Sequence, residues 1–148
     1  VSDAKPVALT TPTPPVTATP SVENAVTRLD LEVLASLFVG AYERGDIEAL
    51  MALFADQVQT NHQVGKGGIR RDYQTLFAAT RQREMNLSAM QWVRRGGQAE
   101  GHGIFEIRLE GAEQTRSYAG TLRFQVQKQD SRVLITGFFH RDLYHRTE

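Results

Sequence analysis

The fold class this sequence predicts is α+β, with three helices leading and a twisted, mostly antiparallel sheet following. Two patterns and one absence carry that reading. Apolar residues recur at helical spacing from Leu31 to Thr80, whereas from Leu87 onward they alternate with period two. All five prolines lie within the first twenty residues, so none interrupts either pattern. Helices gathered first and strands second favour segregated layers, the helices lying on one face of the sheet.

Leu31, Leu34, Phe38 and Ala41, with Leu37 and Tyr42 beside them, form the apolar stripe of a first helix. Gly45 supplies a left-handed stop, and Asp46 caps a second helix expected to run through Phe54. The two make a helical hairpin. Val58, Thr60 and His62 alternate with Gln57, Gln59 and Asn61, which predicts a short strand. Gly65-Lys66-Gly67-Gly68 reads as a loop, and Ile69, Tyr73, Leu76, Phe77 and Thr80 as the buried face of a third helix. Four strands then follow, over Leu87–Arg94, Ile104–Leu109, 117–127 and Val133–Tyr144, turning at Gly96-Gly97, Gly111 and Asp130-Ser131. In the third of these, Tyr118, Gly120, Leu122, Phe124 and Val126 face one way. Ser117, Thr121, Arg123, Gln125 and Gln127 face the other, as one covered and one wet surface require.

A chain of 148 residues is one domain by length, and 41% hydrophobic with 23% charged residues is ordinary for a globular one. Seventeen basic residues balance seventeen acidic ones, which argues against a nucleic-acid or anionic-membrane partner. No apolar stretch approaches the roughly 20 residues that span a bilayer. The absence of cysteine excludes a disulfide scaffold, a thiol nucleophile and a cysteine zinc site. Residues 1–22 are rich in proline and threonine, favour extended polyproline II and cannot build a core. They are expected to be a linker or disordered tail, with the folded domain over 23–148. A linker implies an N-terminal module of the same polypeptide, and a Pro/Thr tether points to a bacterial cell envelope. Charge is uneven within the neutral total: residues 23–56 hold seven acids against two arginines, and residues 65–95 seven bases against two acids. Two solvated surfaces of opposite sign account for this more simply than a basic rim for an anion.

The run Tyr42-Glu43-Arg44-Gly45-Asp46, then Ala52-Leu53-Phe54-Ala55-Asp56, then Gly68-Ile69-Arg70, and the final strand after Asp130 resemble the nuclear-transport-factor-2-like superfamily, also called SnoaL-like. The resemblance covers residues 28 to 145. It implies a cone-shaped roll, in which the sheet wraps a cavity that the helices cover on one side. It also implies isomerases, dehydratases and accessory domains among the relatives, many of them dimers, so fold alone names no function. Ketosteroid isomerase, within this family, needs a carboxylate base and an oxyanion hole made by a tyrosine and a neutral aspartic acid. By the resemblance those places fall at His62, Phe38 and Gly120, while a supporting tyrosine is kept at Tyr73. Phenyl and glycine offer no hydrogen-bond donor, so that chemistry is lost.

His62 is then the candidate general base, with Tyr73 as donor and Asn61, Tyr73 or His140 as its orienting partner. A polar cavity residue bonded to a neighbour is the simpler reading of the same histidine. His140, Asp142 and Tyr144 share one face of the last strand by the period-two rule, with His145 turned away. No metal-ligand motif accompanies them, and no metal or other cofactor is expected. The glycines at 65–68 lack the spacing of a phosphate loop. Trp92, Phe105, Tyr118, Phe138 and Phe139 supply rings for a core or an apolar pocket. The expected pocket lining is Phe38, His62, Tyr73, Trp92, Phe105, Tyr118, Leu122, Phe138 and His140. The reading that follows is a non-catalytic accessory domain of a larger protein, binding a small apolar ligand in the cone, or a protein partner or a second copy of itself through the sheet as a homodimer. Its alternative is a small-molecule isomerase or dehydratase using His62 as base.

Overall fold

The structure, a computed structural model, describes residues 24–148, so the expected linker at 1–22 lies outside the described residues. Helix α1 (Arg28–Arg44) begins at a capping box. The Asp30 backbone N–H donates to Thr27 Oγ1, and the Thr27 N–H donates to an Asp30 carboxylate oxygen, both at 3.0 Å. Leu31, Leu34, Phe38, Ala41 and Tyr42 form its buried stripe. It ends at Gly45, whose φ of 68° suits glycine, and where a Cβ would also meet the Arg83 guanidinium. Arg83 donates to the carbonyls of Tyr42 and Glu43, so a cation from the sheet closes the negative end of the helix.

Asp46 caps α2 (Ile47–Met51) by accepting from the Ala49 N–H. This helix is shorter than the sequence suggests. Phe54 already opens β1 (Phe54–Thr60), because its ring is claimed by the core and its backbone by the last strand. Helix α3 (Lys66–Ala79) starts earlier than expected and absorbs Lys66, Gly67 and Gly68, with only Gly65 left as the entry. The Gln63 side-chain amide lies across Gly68, in the space a Cβ would take.

The remaining chain is a meander: β2 (Gln82–Arg95), β3 (Gln98–Glu110), β4 (Thr115–Gln129) and β5 (Arg132–Thr147). The sheet order is β1-β5-β4-β3-β2, antiparallel throughout except that β1 joins β5 in parallel as a fifth strand. Asp130 and Ser131 both take positive φ, as a tight two-residue hairpin turn requires. Extra residues bulge from the long strands between Ser88 and Gln91, at Thr136 and at Leu143, and such insertions bend a sheet. The concave face of this bent sheet holds the core, where Phe38, Phe54, Phe124, Leu50, Ile135 and Val58 are essentially sealed from solvent.

The uneven charges noted in the sequence meet each other in part. Arg70 of α3 reaches Glu48 of α2 at 2.7 Å, and Lys66 lies 3.7 Å from Asp56. Both pairs are exposed and contribute little to stability. Among the described residues no helix is long and apolar enough to cross a membrane.

Candidate functional site

A cavity of about 320 Å³ opens at one end of the concave face, where α1 and α3 stand apart from the sheet. Its body is apolar, formed by Ile69 and Leu76 of α3, Met85 of β2, and Phe105, Ile107 and Leu109 of β3, with Phe138 of β5 beside them. Its polar groups divide by depth. Tyr42 lies inside at 4% exposure, with Tyr73 and Tyr118 nearby, whereas Asn61, His62, Asp72, His140 and Asp142 stand exposed along the rim.

The expected lining is therefore split. His62, Tyr73, Phe105, Tyr118, Phe138 and His140 border the cavity. Phe38, Trp92 and Leu122 do not. Phe38 is fully buried among Phe54, Phe124 and Phe138, because it sits one turn too deep on α1. Trp92 lies flat on Phe124, at 6.0 Å between ring centres, over the space that Gly101 leaves free. Leu122 is core, 4% exposed. Phe139 points outward, beneath the Arg123 guanidinium at 4.6 Å.

His62 falls beyond the strand that the sequence extends to it. Thr60 Oγ1 accepts from the backbone N–H groups of His62 and Gln63, turning the chain after Thr60. The His62 side chain makes no hydrogen bond among the described residues. Asn61 uses both ends of its amide on the backbone of His140: Nδ2 donates to the carbonyl at 2.7 Å, and Oδ1 accepts from the N–H at 2.9 Å. A side chain thus extends the β1–β5 pairing by one step and fixes the His140 backbone.

His140 Nδ1 in turn lies 3.1 Å from Asp142 Oδ1, and its ring stands perpendicular to Phe105 and tilted against Phe138. With Nδ1 engaged by a carboxylate, Nε2 is left as the free imidazole acceptor. Asn61 and Asp142 thus hold His140 in place, whereas the His62 ring has no such partner among the described residues.

Beyond Asp142 the period-two rule breaks. Gly120 faces Asp142 but Ala119 faces Tyr144, so Leu143 is the extra residue. A Cβ at position 120 would overlap the Arg141 carbonyl oxygen, and glycine is what admits the bulge. In consequence His145, not Tyr144, shares the concave face, and its ring stacks on Tyr118 at 4.7 Å. The sequence pattern gave the opposite assignment.

Burial pushes the Tyr42 and Tyr73 phenols well above their ordinary range, so both remain protonated donors. Neither hydroxyl has a hydrogen-bond partner within the described protein. Tyr42 was legible only as a member of the apolar helix stripe. The signal that separates it from Phe38 is its hydroxyl, which a buried position obliges to find a partner. Ile107 and Leu109 follow from Phe105 by alternation, whereas nothing local in the sequence marks Asp72. No group of three or more histidine, aspartate or glutamate side chains able to hold a metal occurs among the described residues.

No family sequence model matches the chain, and no curated protein matches it significantly. Solved structures do. A Novosphingobium aromaticivorans protein, provisionally described as an aromatic ring hydroxylase, superposes with a TM-score of 0.75 at 19% identity, over 82% of this chain and 91% of that one. A hexachlorocyclohexane dehydrochlorinase gives 0.71 at 12%, over 82% and 88%. A protein of the NTF2-like family from Streptomyces avermitilis gives 0.67 at 17%, over 78% and 97%. The Bd1075 protein of Bdellovibrio bacteriovorus gives 0.69 at 15%, over 78% of this chain but only 41% of the other. With helices packed against a curved, open sheet of five strands, and with these neighbours, the chain has the nuclear-transport-factor-2-like fold.

Proposed function

We propose that this is a non-catalytic accessory domain that binds a small, largely apolar molecule in the cavity. The observation that carries the reading is the cavity itself. Its walls are apolar side chains, with a few polar groups gathered at depth and rim, which is the usual make-up of a ligand site. In Bd1075 the matching part is less than half of a longer chain, which is the arrangement this proposal envisages. Pairing of two copies through the outer sheet face belongs to the same proposal, and Thr121, Gln125 and Gln127, with Arg123 among them, supply a polar surface for it. Ultracentrifugation at high concentration tests that part, and a strictly monomeric species refutes it.

Thermal denaturation in the presence of small neutral apolar compounds tests the binding. A compound at about 100 times its Kd raises stability by about 2.7 kcal/mol. The shift is expected in the natural chain and lost in Ile107→Trp, which fills the cavity. A shift that persists in Ile107→Trp places binding elsewhere and refutes the reading.

One observation favours a second reading, an isomerase or dehydratase type of enzyme. The His140–Asp142 hydrogen bond orients a base beside two protonated phenols, which is the geometry of general acid–base catalysis. The base moves from His62 to His140 in this version. Deuterium exchange into an enolisable ketone decides between them. Exchange above background that disappears in His140→Ala establishes the enzyme; exchange equal to background in both proteins keeps the accessory domain.

A further inference from the structure

The cavity carries a charge and hydrogen-bond pattern that narrows its ligand. Two carboxylates, Asp72 and Asp142, stand at the rim, and among the described residues no arginine or lysine lines the cavity to balance them. Between rim and floor the walls present aromatic rings: Phe105, Phe138 and the three tyrosines. Aromatic faces and carboxylates both attract a cation and both repel an anion. At the floor stands Tyr42, a residue 4% exposed whose hydroxyl has no partner within the described protein. Burial holds it protonated, so it has a proton to donate and lacks an acceptor. Tyr73 stands beside it, the rings 6.1 Å apart and perpendicular.

We infer that the cavity takes a small two-ended molecule, with a protonated amine at the rim, an apolar body between, and a hydrogen-bond-accepting oxygen against Tyr42 and Tyr73 at the floor. The inference rests on the ligand-binding reading and specifies its ligand class. Asp142 serves it while bonded to His140, because a carboxylate accepts more than one hydrogen bond. Asp72 is held toward the rim by the side-chain amide of Gln63.

Four probes of one shape test it by titration of the isotope-labelled chain, read from the amides of α3, Phe105 and Phe138. They are 2-(4-methoxyphenyl)ethylamine, 1-ethyl-4-methoxybenzene, 3-(4-methoxyphenyl)propanoate and 2-phenylethylamine. The first carries both ends, the second lacks the charge, the third reverses it, and the fourth lacks the acceptor. The methoxy amine is expected to bind about tenfold more tightly than the neutral ether, with the propanoate weakest. Tyr42→Phe is expected to erase the difference between the methoxy amine and 2-phenylethylamine. The double substitution Asp72→Asn, Asp142→Asn is expected to erase the preference over the neutral ether. A neutral or anionic probe that binds as tightly as the amine overturns the inference and leaves the ligand-binding reading standing. An amine preference that survives both asparagines overturns it as well. No shift of those amides with any probe overturns the inference and the reading together.

Discussion

At one end of the sheet Trp92 lies on Phe124, and Phe38 meets Phe124 and Phe138 at 5.3 Å each. At the other, Tyr42, Tyr73 and Tyr118 border the cavity, and two of these phenols carry hydroxyls without protein partners. Both ends draw aromatic rings from α1 and β4, and the open end adds Tyr73 of α3. Rings meet at both ends, Tyr42 with Tyr73 at 6.1 Å and Tyr118 with His145 at 4.7 Å at the open one, so the ends differ in what the rings carry. Phenylalanine interlocks ring on ring and maximises stability, whereas tyrosine one turn along α1 holds a polar group where packing alone would not put one. The difference teaches that the closed end specifies the fold, and that the open end is where the proposed ligand would sit.

Five substitutions test that division. Phe38→Ala at the closed end should have the largest effect, a loss of about 3–5 kcal/mol measured by chemical denaturation. A loss below about 1 kcal/mol would mean that the closed end is not the stability centre. Gly120→Ala should cost about 1–3 kcal/mol, because backbone rather than a flexible side chain must give way. It should also shift the His140 and His145 ring resonances, which Phe38→Ala leaves as a pair in register.

Thr27→Ala removes the helix cap at the closed end and should cost about 1 kcal/mol at pH 7. The partner of that cap adds a pH signature. Asp30 is held below its usual value of 3.8, chiefly by the Thr27 backbone N–H. Its folded pKa therefore lies below its unfolded one, and the stabilisation is fully present above about pH 4. It is lost as pH falls through the folded value, so Asp30→Ala and the natural chain should converge in strongly acidic denaturation curves. Tyr42→Phe, at the open end, should have the smallest effect and the opposite sign. Removing a buried hydroxyl that has no partner leaves stability unchanged or raises it by up to about 1 kcal/mol. A clear loss would reveal a protein partner for that hydroxyl and weaken the contrast between the ends.

Much of this was legible in the chain. The stripe Leu31, Leu34, Phe38 and the alternation Tyr118 to Val126 are local periodicities, and each lies where its pattern puts it. The Gly45-Asp46 corner is likewise local chemistry, a left-handed stop followed by a cap. What failed depended on distant chain. Phe54 joins a strand because β5 pairs with it, and Trp92 leaves the cavity for Phe124, a neighbour two strands away. The pairing of His140 with Asp142 was visible as spacing, but its orientation by Asn61 needs a contact 79 residues apart in sequence. The reversal of Tyr144 and His145 could not be counted from β5 at all, since its cause is the missing side chain at Gly120 on the strand beside it.

That glycine makes the identity of the aromatic group above Tyr118 a matter of arithmetic along the backbone. If the strand slipped to regular pairing, a phenol would replace an imidazole there with neither residue mutated. Deleting Leu143, by contrast, would take out the surplus position and keep the imidazole in place. Descendants of this sequence can therefore trade an imidazole for a phenol through a change on the neighbouring strand, and comparisons that align β5 residue by residue would miss the exchange.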